Sequence, residues 1–164
     1  MPLDSTLGAA TAESLCSVAE ADAYHAARGA AAWAVLSEAV REQCLRRATD
    51  YMGQAYAAAW QGARVDAVQA LDWPRSGVEA HGIALDAATL PGPVRDACAV
   101  LALKANAGPL APDLAQRVKR QKVGPIETEY ADYSPQSKRY LAVDRMLAPY
   151  LVTYTPFSAR LERS

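Results

Sequence analysis

Phenylalanine is almost missing from this 164-residue chain: there is one, against eight tyrosines and three tryptophans. A core without Phe must be filled largely by Ala, Leu and Val, which favours helices packed close together. Histidine occurs twice, as His25 and His81, and cysteine three times, as Cys16, Cys44 and Cys98. None of these has metal-ligand spacing, and the cysteines form no disulfide framework. Cys44 and Cys98 fall on apolar helical faces and read as small buried hydrophobes. No apolar run approaches the ~18 residues that a membrane span needs. No basic stretch followed by an apolar core opens the sequence, so no signal peptide is expected, and folding in a reducing cytoplasm is. Charge of one sign is lacking too. The formal net charge is −1, where a free-standing nucleic-acid-binding domain usually has a clear basic excess. Any attraction to phosphate must therefore be local. What is present, 51% hydrophobic and 21% charged residues, is the composition of one globular domain with a real core.

The chain also lacks a catalytic constellation. It has no phosphate-cradling glycine loop and no strained nucleophile motif. His25 stands beside Tyr24 on a helix, and His81 precedes Gly82 in a turn. In the acidic pair Glu20/Asp22, Glu20 is accounted for by helix capping, and Glu127/Glu129 are accounted for by alternation on a solvated strand. No enzyme, cofactor or metal is expected.

Hydrophobic periodicity predicts a mainly α protein, a small bundle of about four helices with a β-hairpin-like projection and extended N- and C-terminal arms. Residues 1–16 are small and polar and read as an arm with little packing of its own. Ser17-Val18-Ala19-Glu20 matches a capping box that opens a helix ending near Arg28, with Gly29 just beyond it. Ser37 is the N-cap expected for a long helix over 38–60, with Val40, Cys44, Ala48, Tyr51, Ala55 and Ala59 as its apolar stripe. Residues 61–90 have no clear period. They read as an ordered loop anchored by Leu71 and Trp73, with Pro74 holding Trp73 extended. A third helix starts near Pro91–Pro93, shows Val94, Cys98, Leu101 and Ala105, and stops at Gly108-Pro109. A fourth covers 140–151, its last turn weakened by Pro149. The helical domain thus spans 17–151, and 152–164 forms the second arm, carrying Tyr154, Phe157, Arg160 and Arg163.

The stretch 116–131 interrupts the helical pattern. Arg117, Lys119, Arg120 and Lys122 are four basic residues within six positions. After Gly124-Pro125, Ile126, Thr128 and Tyr130 alternate with Glu127 and Glu129, the period of a half-exposed strand. A hairpin is expected, with its bases facing Glu127 and Glu129 across the ladder. The basic residues can be spent within that ladder, on an acidic partner protein, or on nucleic-acid phosphate. Trp73-Pro74-Arg75 reads as a structural anchor whose Arg75 can reach a neighbouring subunit.

Four segments occur in order: Ser17–Tyr24 (SVAEADAY), Arg47–Tyr51 (RATDY), Leu71–Val78 (LDWPRSGV) and Arg117–Glu127 (RVKRQKVGPIE). Over about residues 14–151 the chain resembles a family of small tailed-phage and prophage structural proteins, sometimes labelled DnaT-like single-stranded-DNA-binding. The resemblance implies a head–tail connector, or adaptor, of the virion neck. It would be made in the host cytoplasm and form a homo-oligomeric ring of twelve copies beneath the portal protein. A stopper or tail-side neck protein would dock on it, and genomic DNA would pass through its lumen without sequence-specific binding. Partner contacts are then expected from Arg75, Arg117, Lys119, Arg120, Lys122, Glu127, Glu129, Tyr154, Phe157, Arg160 and Arg163. The alternative is a single-stranded-DNA-binding (DnaT-like) accessory protein that uses the basic strand on phosphate.

Overall fold

The computed structural model describes residues 2–112, 120–123, 126–129 and 139–152. The protein is mainly α, as expected. Its elements run α1 (Val18–Ala26), α2 (Ala31–Ala34), α3 (Glu38–Tyr56), β1 (Ala63–Arg64), β2 (Arg75–Ser76), β3 (Glu79–Ala80), β4 (Ile83–Ala84), α4 (Gly92–Asn106), β5 (Arg120–Val123), β6 (Ile126–Glu129) and α5 (Leu141–Leu147). A 3-10 turn at Ala148–Tyr150 carries the Pro149 that was expected to weaken the end of the last helix.

The capping box forms as read. The Glu20 backbone N–H donates to Ser17 Oγ at 3.3 Å, and the Ser17 N–H donates to the Glu20 carboxylate at 2.9 Å. Ser17 and Arg95 hold the Glu20 carboxyl below its ordinary range, against the opposing pull of partial burial. Ser37 caps α3 through the Val40 N–H. The buried face of α3 is Cys44, Leu45, Ala48, Thr49, Met52 and Tyr56. That face is rotated from the expected stripe: Ala55 is exposed, and Thr49 and Met52 point inward instead. Helix α4 is buried around most of its girth, through Val94, Ala97, Cys98, Ala99, Leu101, Ala102 and Ala105. Five small side chains among those seven let α1, α3 and α5 all pack against one helix. The three cysteines are buried and free; burial pushes the Cys98 thiol up to about 11.

Residues 2–16 differ from the expected arm. Asp4 collects them: its carbonyl accepts from the N–H groups of Glu13 and Ser14, and its carboxylate from Thr6 N–H and the Thr11 hydroxyl. Ala12, Ser14, Leu15 and Cys16 are buried, with the Leu15 N–H donating to Thr49 Oγ1 on α3. An ion pair of 2.8 Å joins Glu13 to Arg46. The segment is packed because its few apolar side chains cluster at 12–16, directly before the cap.

The loop expected over 61–90 contains two small antiparallel pairs, β1 with β2 and β3 with β4. His81 and Gly82 both have positive φ and form the two-residue turn of the second pair. Trp73 is 1% exposed and stacks edge-on between Trp60 and Tyr150. Gly62 is required where it stands. Its φ is +66°, and a Cβ there would run into the Ser76 carbonyl oxygen.

Candidate nucleic-acid interface

The expected hairpin is present in the backbone. Strands β5 and β6 are antiparallel, pairing Arg120 with Glu129, Gln121 with Thr128, Lys122 with Glu127 and Val123 with Ile126. Opposite charges therefore occupy opposite positions at alternate rungs, as read from the sequence. Arg117 and Lys119 of the basic cluster lie outside the described residues. So do Tyr154, Phe157, Arg160 and Arg163 of the tail.

Arg75 takes no part in a surface. It is buried, and its guanidinium faces inward: Nε donates to the Gln61 carbonyl at 2.7 Å, Nη2 to Gly62 at 2.8 Å and Nη1 to Asp72 at 3.1 Å. Three backbone acceptors use most of its fork of donors. The expected reach toward a neighbouring subunit is corrected accordingly, while the anchor reading of Trp73-Pro74-Arg75 fits the observed packing.

The sequence reading missed a groove between α3 and residues 109–111. The second half of α3 and residues 109–111 enclose a cleft of about 200 Å³, lined by Arg47, Asp50, Tyr51, Gln54 and Leu110 among others. Tyr51 meets Tyr140 edge-to-face at 5.5 Å, and Lys104 Nζ sits 5.7 Å from the Tyr140 ring centre. The Tyr140 hydroxyl donates to the Leu110 carbonyl at 3.0 Å. The two chain ends that lead to the hairpin are thereby tied together at this groove. Arg47, Lys104 and Arg139 are all exposed around it. Arg47 gives one Nη2 bond to the Gly108 carbonyl, and Arg139 lies 3.7 Å from the Asp144 carboxylate. Behind this surface the Tyr56 hydroxyl donates to Asp144 at 2.6 Å, locking α5 to α3.

A larger cleft, about 370 Å³, lies elsewhere, between α1, α2 and the start of α3. Four alanines, Ala26, Ala30, Ala31 and Ala34, make up much of its wall. Its carboxylate, Asp22, already accepts from Trp33 Nε1 at 2.6 Å and from Arg41 Nη1 at 2.9 Å. His25, buried beside Trp33, sets Nε2 3.0 Å from the Ala99 carbonyl, which requires Nε2–H to donate. These groups knit a seam between helices. Among the described residues, no group of three His, Cys, Asp or Glu side chains is placed to hold a metal.

Fold and surface together define a small helical protein with a cationic–aromatic groove beside the points, residues 110–112 and 139–140, between which the chain runs out to a charged hairpin and back. A family profile described as "Putative DnaT-like ssDNA binding protein" matches residues 1–164, and the chain belongs to that family. No curated protein and no solved structure gives a match. The family match corrects the expectation of a phage head–tail connector: it falls on the single-stranded-DNA-binding family over the whole chain, and nothing in the comparisons points to a portal partner, a twelve-fold ring or a tail-side component. Four short motifs in order were insufficient to separate a shared sequence family from one assembly role.

Proposed function

We propose that this protein binds single-stranded DNA, with the Arg47–Lys104–Arg139 surface and the basic strand of the hairpin taking phosphates and the tyrosine groove taking bases. The observation that carries the reading is the meeting of three exposed cations with the Tyr51–Tyr140 pair where the hairpin segment leaves the body. Proteins that hold single strands without strong sequence preference combine these parts: a basic track for the backbone and aromatic faces for the bases. The family description points the same way. A double helix keeps its base faces stacked inside, so a groove that works by stacking favours the single strand.

With a net charge of −1, long-range attraction is weak and binding rests on a few local contacts. Affinity is therefore expected to fall steeply with salt, by a log–log slope of roughly 0.7 per phosphate neutralised on a single strand. Fluorescence anisotropy of a labelled oligonucleotide across a salt series tests this. Changing Arg117, Lys119, Arg120 and Lys122 to Ser, and separately Arg47 and Lys104 to Ser, is expected to weaken binding and flatten the slope. Absence of binding at low salt, or affinity indifferent to both sets of substitutions, would refute the proposal.

A further inference from the structure

Helix α3 presents Arg47, Asp50 and Gln54 three and four residues apart, on one solvent-facing line. Asp50 and Gln54 line two clefts at once. One is the tyrosine groove already described. The other, about 250 Å³, lies across the helix toward Gly53, Trp60 and Leu71. The two side chains thus form a ridge between adjacent hollows, each of a size to take one base. Among the described residues neither makes a hydrogen bond or ion pair. Their neighbours differ: Arg41, Glu42, Arg46 and Arg47 on the same helix all have partners.

A carboxylate within a surface proposed to take phosphate repels the nucleic-acid backbone, and a base that donates to it offsets that repulsion. A carboxylate only accepts. The matching edge is a base that donates: guanine through N1–H and N2–H, cytosine through N4–H, adenine through N6–H. Thymine has one N–H flanked by two carbonyl oxygens that face the carboxylate unfavourably. Gln54, one turn away, can both donate and accept and so complements an adenine or cytosine edge.

We propose that Asp50 and Gln54 read the edges of two successive bases straddling α3, selecting bases with an exocyclic amino group against thymine. This rests on the single-strand-binding reading above and adds a specificity that stacking alone does not supply. The test compares oligo(dT), oligo(dC) and oligo(dA) of equal length at fixed salt, on wild-type protein and on Asp50→Asn. Wild type is expected to bind oligo(dC) and oligo(dA) about ten-fold more tightly than oligo(dT), the scale of one good edge contact. Asp50→Asn removes the repulsion and restores a donor, so oligo(dT) gains affinity and the preference collapses. Asp50 is exposed and unpartnered, so an unchanged urea midpoint is expected to show an intact fold. If all three oligomers bind equally well to wild type, or if Asp50→Asn leaves the preference as it was, the inference fails while DNA binding stands. If none binds at low salt, both fail together.

Discussion

His25 shows how much a single residue depends on neighbours that are distant in sequence. Its order in the chain suggests a helix-surface histidine beside Tyr24. In the fold it is buried between Trp33 and the Ala99 carbonyl. Burial lowers its pKa below the ordinary 6.5; the Ala99 bond and Asp22 oppose the shift, and Arg28 adds to it. The unfolded chain therefore takes up a proton there before the folded one does. Its contribution to stability is complete above 6.5 and is lost as pH falls from 6.5 toward the lower folded value. The carboxyls of Asp4, Glu13 and Glu20 are all held below their ordinary values by their hydrogen bonds, which moves their own titration further from 6.5. Urea midpoints measured on either side of 6.5 should show wild type weakening on acidification. His25→Gln, whose amide can still donate to Ala99, should stay flat over the same range; a wild type that is equally flat would contradict the assignment.

Helices and their caps were the most legible elements, because their signals are local. Ser17, Glu20, Ser37, Gly29 and the Pro91–Pro93 start all do what their spacing predicts. Replacing Ser17 with Ala is expected to cost about 1 kcal/mol, read as a lower urea midpoint with an unchanged slope. The face of α3 was less legible. Ala and Tyr are tolerated at partly exposed positions, so Ala55 counted toward a stripe that Thr49 and Met52 in fact complete. Thr49 is inside because it bonds to the Leu15 N–H and approaches the Cys98 sulfur, partners that periodicity cannot register. The two-residue strands between 63 and 84 gave no pattern because alternation needs more positions than they have. At Arg75 the sequence displays only a charge; the carbonyls of Gln61, Asp72 and Gly62 that absorb it converge through tertiary contacts. The hairpin is the opposite case: its charges and alternation are contiguous, and the rungs Arg120–Glu129 and Lys122–Glu127 follow from them. The tyrosine groove was invisible for the same reason as Arg75, since Tyr51, Lys104, Leu110 and Tyr140 come from four separate stretches.

At the scale of the whole molecule, the helical body is the mount from which the hairpin segment departs after residue 112 and to which it returns at residue 139. Tyr140 is the tie: its ring packs on Tyr51 while its hydroxyl reaches Leu110 on the outgoing strand of chain. Tyr140→Phe keeps the ring and removes one partly buried hydrogen bond, so global stability should fall by only about 1 kcal/mol. Every cation remains, so the number of phosphates neutralised, and with it the salt slope, should be unchanged. What is lost is one tie between the segments that enter and leave the hairpin, and ordering them on binding then weighs against affinity. The expected signature is a few-fold weaker Kd for single-stranded DNA at every salt concentration, as parallel lines on a log–log plot. Converging lines would mean that Tyr140 serves the phosphate contacts themselves. Coincident lines would mean that hairpin and groove work independently and the tie adds nothing to binding.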